Sequence, residues 1–218
     1  MIKGIIFDLD GTTINTLNEL QSSLNEALRE RGFPERTKDE VRMGVGRGFR
    51  KLIEVSVPAG SDDKTIDEVG ERYREIYSEK HILSKPYEGI KELLEKLQEK
   101  NIKIAVNSNK SDKFTKNIIL SNFPGINFTA IYGARENIPH KPDPSTAYEI
   151  IKEMKLNRNE VIYVGDSEVD MQTGNNAGLF VIGCLWGFRD EKTLKENKAN
   201  LLVNKPEEIM EFIEKENG

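Results

Sequence analysis

Asp8 and Asp10 are separated by one residue, follow the apolar run Ile2–Phe7, and lead directly into Gly11-Thr12-Thr13. Carboxylates in that place would project from the carboxyl end of a strand, the edge where open α/β sheets bind ligands. The same residues also read as a polar turn, since Asp-Gly is a common turn pair. Three further segments bear on the choice. Ile104-Ala105-Val106 runs into Asn107-Ser108-Asn109-Lys110, and Val161–Val164 runs into Gly165-Asp166-Ser167, with Asp170 one helical turn beyond Asp166. Between them lies His140-Lys141-Pro142-Asp143-Pro144. Singly, Ser108 and Asp166 read as helix caps and Lys141 as a solvated loop lysine. Right-handed crossovers between parallel strands, however, bring the carboxyl ends to one edge. Asp8, Asp10, Ser108 and Asp166 then meet there, and Lys141 reaches in from its loop. Such a cluster suits a hard divalent cation bound through oxygen, a carboxylate nucleophile, and proton transfer by an acid.

The elements that must position these residues are legible in the periodicity. Ile2–Phe7, Ile102–Val106, Thr129–Tyr132, Val161–Val164, Leu179–Ile182 and Leu201–Val203 have the length and composition of buried strands. Helical spacing lies between most of them. Ile90, Leu93, Leu94 and Leu97 recur at one-face intervals, as do Ala147, Ile150, Ile151 and Met154, the latter with Asp143 as N-cap and Pro144 at the first helical position. This alternation predicts an α/β protein built on a doubly wound parallel sheet, Rossmann-like in outline.

From Thr16 to about Leu83 the alternation stops, and only helical patterns appear. One stripe is Leu17, Leu20, Leu24 and Leu28, with Thr16 and Glu19 as a capping box. A second is Val41, Val45, Phe49, Leu52 and Ile53, weakened by Gly44, Gly46 and Gly48; a third is Ile66, Val69, Tyr73 and Ile76. The expected division is a core of residues 1–15 and 84–218 and an inserted α-helical cap of residues 16–83, with Lys85-Pro86 as the return point. The Lys/Glu-rich tail from Glu191 reads as a solvated helix face.

Composition bounds the function. The 218 residues are 37% hydrophobic and 32% charged with a net charge of −5, which fits a soluble globular chain and argues against a large nucleic-acid footprint. The longest apolar stretch, Gly178 to Phe188, is too short to span a membrane. Acidic residues within the first ten positions are unlike a signal peptide, and one cysteine, Cys184, excludes a disulfide framework. The expectation is a cytoplasmic monomer or homodimer with no nucleic-acid or membrane partner.

The ordered set Asp8-Leu9-Asp10-Gly11-Thr12, Ser108, Lys141 and Gly165-Asp166…Asp170 resembles the haloacid dehalogenase-like hydrolase superfamily over residues 1 to about 190. Thr13 and Asn15 depart from the family's usual residues. Gly44-Val45-Gly46-Arg47-Gly48, the His140–Pro144 run and Trp186-Gly187-Phe188 look most like phosphoglycolate phosphatases. The resemblance implies a Mg²⁺-dependent phosphatase acting on a small phosphate ester. Asp8 would be the nucleophile and a metal ligand. Asp10 would be the proton carrier and give its backbone carbonyl to the metal. Asp166 would be a ligand, and Asp170 would hold metal-bound water or orient a ligand. Ser108, the Asn109 amide and Lys141 would hold the phosphoryl oxygens. Arg47, in the glycine-rich stretch, reads either as facing the leaving group or as a solvated loop arginine. His140 reads as a spacer, His81 and Cys184 as structural, and Trp186 as packing on the sheet edge. A sugar phosphomutase and a pyrophosphatase or nucleotidase of the same superfamily are the enzymatic alternatives. A dehalogenase would need neither Asp10 nor Asp166. A phospho-receiver domain is the alternative from another class, against which the first-strand Asp-x-Asp and the long insert both count.

Overall fold

Along strand β1 (Gly4–Phe7) of the computed structural model, which describes all 218 residues, Ile5 and Phe7 enter one hydrophobic cluster and Ile6 another. That is period-two alternation with both faces covered, the condition for a buried parallel strand. In chain order the remaining elements are β2 (Ile14–Asn15), α1 (Leu17–Glu30), α2 (Lys38–Gly44), α3 (Phe49–Ser56), α4 (Asp63–Lys80), β3 (Lys85–Pro86), α5 (Ile90–Glu99), β4 (Lys103–Ser111) and α6 (Asp112–Asn122). They continue as β5 (Phe128–Ala134), α7 (Ser145–Met154), β6 (Val161–Gly165), α8 (Glu168–Ala177), β7 (Phe180–Cys184), α9 (Glu191–Glu196), β8 (Leu201–Val203) and α10 (Glu207–Asn217).

Six strands pair in parallel in the order β5-β4-β1-β6-β7-β8. The chain leaves β1 in both directions across the sheet, so β1 is the switch point at which a ligand crevice opens. One face is covered by apolar stripes of α5, α6 and α10, the other by α7 with Ala177 of α8. The doubly wound sheet expected from the sequence is the sheet observed.

Residues 17–83 contain helices and no sheet strand. Their stripes close on one another as a separate cluster that includes Leu24, Val41, Ile53, Val69 and Tyr77. β2 and β3 form a two-residue antiparallel ribbon, Ile14 opposite Pro86 and Asn15 opposite Lys85, where the chain departs from the sheet side and returns to it. The second helical stripe is two helices: Gly46 and Gly48 take positive φ and separate α2 from α3.

Four local expectations need correction. Thr16 makes no capping bond on α1, because its hydroxyl donates to Asp10 Oδ1 at 2.6 Å, and Glu19 instead accepts from Ser84 Oγ. α7 begins one residue late: Pro144 is its N-cap, and Asp143 accepts from the Ser145 amide. The tail is more than a solvated face, since α10 buries Ile209, Met210 and Ile213 in the main cluster. β4 also runs on to Ser111, five residues past the expected end, after a register shift beyond Asn107.

Candidate active site

Asp8 extends β1 by one rung, its amide donating to the Val164 carbonyl at 2.9 Å, and so stands at the switch point. Lys141 Nζ lies 2.7 Å from Asp8 Oδ1, 2.7 Å from Asp170 Oδ1 and 3.0 Å from the Asn107 carbonyl, with its side chain only 4% exposed. The loop carrying it is clamped by Asn109, whose side chain accepts from the Lys141 amide and donates to the Lys141 carbonyl. The same Nδ2 reaches the Gly46 carbonyl of the helical insert at 2.9 Å.

Asp166 follows β6 and is fixed at both oxygens: Thr12 Oγ1 donates to Oδ1 at 2.9 Å and the Phe188 amide to Oδ2 at 2.6 Å. Two glycines make room for it. A Cβ at Gly11, where φ is +88°, would lie 2.3 Å from Asp166 Oδ2, and a Cβ at Gly187 would lie 2.2 Å from Asp166 Cβ. Asp170 closes a capping box with Ser167, accepting from its hydroxyl at 2.6 Å, while its other oxygen takes Lys141. Asp170 therefore holds Lys141 in place from within the first turn of α8.

Asp10 points elsewhere. Its Oδ1 takes both the Thr16 hydroxyl and Lys110 Nζ, the latter at 3.0 Å, and its carboxyl is not part of the tight acidic group. That group is Asp8, Asp166 and Asp170, which offer carboxylate oxygens within 4.8 Å of one another. Burial, then the neighbouring Asp170, raises Asp8 well above the usual carboxylate range against the opposing pull of Lys141. Burial and Asp170 likewise push Asp166 up to about 7. The four carboxylates face two lysines, Lys110 and Lys141, so full ionisation leaves two negative charges uncompensated. An all-oxygen donor set with that deficit fits a hard divalent cation.

Asp8 and Asp166 form the floor of a cavity of about 450 Å³ that Asp10, Ser108, Asn109 and Lys141 also line. Its roof comes from the insert, including Phe49, Leu52, Tyr73 and Tyr77. Core and insert meet along a polar seam. Arg189, 6% exposed, donates to Glu168 and to the carbonyls of Arg42 and Val45 at 2.8 Å each, facing the electronegative end of α2. Phe188 beside it packs into the insert's own apolar cluster.

A family model for the haloacid dehalogenase-like hydrolases matches residues 5–184. The chain belongs to that family. This hydrolase is 30% identical over 215 residues to a phosphoglycolate phosphatase of Aquifex aeolicus, covering 98% of this chain and 97% of that one. It is 28% identical over 207 residues to a phosphoglycolate phosphatase of Pseudomonas syringae pv. tomato, covering 93% and 76%. A Clostridium perfringens protein named as a candidate pyrophosphatase is 30% identical over 220 residues, with both chains fully covered. Among solved structures, a candidate phosphoglycolate phosphatase from Lactobacillus delbrueckii subsp. bulgaricus superposes with a TM-score of 0.90 at 28% identity, covering 97% of this chain and 98% of that one.

The geometry of this hydrolase gathers Asp8, Ser108, Asn109, Lys141, Asp166 and Asp170 at one sheet edge, with Asp10 beside them. Arg47 is the exception. Its side chain is 62% exposed, pairs with Glu168 at 3.4 Å, and does not line the cavity. The positive φ at Gly46 and Gly48 turns the loop so that Arg47 points outward along the seam. His140 lines the cavity beside Gly48, Trp186 donates to the Thr12 carbonyl at the sheet edge, and His81 and Cys184 are buried among structural neighbours. Thr13 satisfies its buried hydroxyl on the carbonyls of Asp8 and Leu9. Sequence reasoning passed over Lys110 and Arg189. Lys110 sat in the quoted Asn107–Lys110 run, but only the extension of β4 turns it toward Asp10. Arg189 carried no motif signal.

Proposed function

We propose that this hydrolase is a Mg²⁺-dependent phosphatase of small phosphate monoesters, with phosphoglycolate as the favoured substrate and Asp8 as the phosphoryl acceptor. The observation that carries the reading is Asp8 held by Lys141 at 2.7 Å, at the floor of a cavity roofed by the insert. The names of the relatives support the substrate class.

Asp8, Asp166 and the Asp10 backbone carbonyl would hold Mg²⁺, and Asp170 would position Lys141 and the metal's surroundings. When bound, the cation supplies positive charge that a phosphate dianion needs to approach a carboxylate. Asp8 attacks phosphorus and forms an aspartyl-phosphate, breaking the ester bond. Asp10 protonates the departing alkoxide and, now ionised, takes a proton from the water that cleaves the acyl phosphate. Its placement suits this: Thr16 and Lys110 both hold Oδ1, leaving Oδ2 for the proton. Ser108, the Asn109 amide and Lys141 stabilise the phosphoryl oxygens. The insert of residues 16–83 acts as a cap over a core of residues 1–15 and 84–218, excluding water during transfer. A cytoplasmic monomer or homodimer completes the reading.

A pyrophosphatase is the second reading, favoured by the full-length relative of that name. A panel of phosphate esters and pyrophosphate, assayed with Mg²⁺ and with excess chelator, tests both. Mg²⁺-dependent release of phosphate, with phosphoglycolate among the best substrates, is expected. Equal release in chelator would remove the metal from the mechanism, and pyrophosphate alone being cleaved would replace the first reading with the second.

A further inference from the structure

Six basic side chains line the cavity: Arg50, Arg74, Lys110, Arg135, His140 and Lys141. Most are already neutralised. Lys141 is held by Asp8 and Asp170, and Lys110 by Asp10. Arg135 gives both terminal nitrogens to Glu149. Arg50 is shared among Glu54, Asp63 and Asp67.

Arg74 differs. It has no carboxylate oxygen within 4.0 Å, and its guanidinium carbon stands 4.1 Å from the centre of the Phe49 ring. A ring face orients a guanidinium without cancelling its charge, and leaves its N–H edge available for a planar oxyanion. The ring belongs to an aromatic row across the roof. Phe49 lies 5.3 Å from Tyr73, Tyr73 stacks at 5.5 Å on Tyr77, and Tyr77 covers Lys110 Nζ at 4.7 Å. The row thus has a neutralised cation at its Asp10 end and an unneutralised one at the other.

Resting on the phosphatase reading above, we propose that Arg74 is the specificity-determining residue of the insert, and that it recognises a negative charge on the leaving group. The substrate class is a phosphate ester, or anhydride, whose departing half carries a carboxylate or a second phosphoryl group. The phosphoryl group to be transferred sits at Asp8, and the distal anion forms a two-pronged pair with Arg74.

The test compares wild type, Arg74→Ala, Arg74→Lys and Arg74→Glu on phosphoglycolate, pyrophosphate, phosphoethanolamine and p-nitrophenyl phosphate, with Mg²⁺. Phosphoethanolamine is as short as phosphoglycolate but ends in a cation. Arg74→Ala is expected to lower kcat/KM on an anionic-leaving-group substrate by about 10- to 100-fold, mainly through KM, as for loss of a hydrogen-bonded charge. The loss on p-nitrophenyl phosphate should stay within about threefold, and Arg74→Lys should recover part of the anionic activity. Arg74→Glu should shift preference toward phosphoethanolamine. A loss confined to phosphoglycolate assigns the partner as a carboxylate, and one confined to pyrophosphate as a phosphoryl group; either supports the proposal. Equal losses on all four substrates, or no loss on any, overturn the role of Arg74 while leaving the phosphatase reading intact. A wild type inert toward every substrate overturns both.

Discussion

Removing the ammonium of Lys141 should damage stability by an amount the structure lets one work out. Lys141→Met keeps the aliphatic stem and deletes the charge. Asp8 Oδ1, Asp170 Oδ1 and the Asn107 carbonyl then lose their shared donor, where the three side chains are 4%, 9% and 1% exposed for Lys141, Asp8 and Asp170. Breaking one side of a buried ion pair costs about 3–5 kcal/mol. For a chain of this length each kcal/mol moves Tm by about 2–4 °C, so the expected drop is about 6–20 °C. Burial and carboxylate crowding already raise Asp8 against the pull of Lys141, so the variant raises it further. A carboxyl raised in the folded state binds protons that the unfolded chain releases. The deficit therefore grows as pH rises and shrinks as pH falls toward the ordinary Asp range. Adding Asp8→Asn removes one stranded charge and should restore about 0.5–3 kcal/mol as a coupling energy. The assay is thermal unfolding by circular dichroism in chelator, across pH, for wild type, both single variants and the double variant. A Tm within about 2 °C of wild type at neutral pH would refute the buried-network argument. So would strict additivity of the two substitutions.

Metal and pH should be linked through Asp166. Burial and Asp170 lift it to about 7, so without a divalent cation the native state keeps a proton that the unfolded chain loses near the ordinary Asp value. That contribution is present at low pH and disappears as pH rises to about 7. Mg²⁺ requires the ionised form, so its stabilising shift in Tm should be larger at about pH 8 than at about pH 5, and Asp166→Asn should flatten the difference; a pH-independent shift would contradict the assignment. The seam should depend on Arg189. Arg189→Ala strands the carbonyls of Arg42 and Val45 and the Glu168 carboxylate. A loss of about 1–3 kcal/mol and faster proteolysis between residues 44 and 48 are expected, and unchanged proteolysis would show that other contacts hold the seam.

The sheet was readable because each buried strand is short, β-branched and closed by a polar turn, and because α5 and α7 repeat their apolar residues at one-face spacing. Parallel topology then did the rest for the site. Strand ends distant in sequence, at Asp8, Ser108 and Asp166, share one edge by the handedness of their crossovers. What the sequence left open was side-chain direction in irregular backbone. Arg47 and Lys110 are both basic residues beside small or polar neighbours, and no periodicity says which points inward. Two positive-φ glycines turn Arg47 out, and a register shift in β4 turns Lys110 in. Thr16 departs from its expected role for a related reason: the capping-box pattern was sound, but the half-buried Asp10 carboxylate competed for its hydroxyl and won. Arg189 bridges core and insert, and Arg74 stacks on Phe49 of another helix, contacts that a linear pattern does not encode.

The central claim is that Asp8 carries the phosphoryl group, and acid quenching of Asp10→Asn during turnover of a radiolabelled aryl phosphate tests it most directly. With the proton carrier disabled, hydrolysis of the acyl phosphate slows while a good leaving group still departs, so label should accumulate on protein. The predicted result is acid-stable, hydroxylamine-labile label on the peptide containing Asp8. Label on any other residue, or phosphate release with no labelled peptide at all, would contradict it.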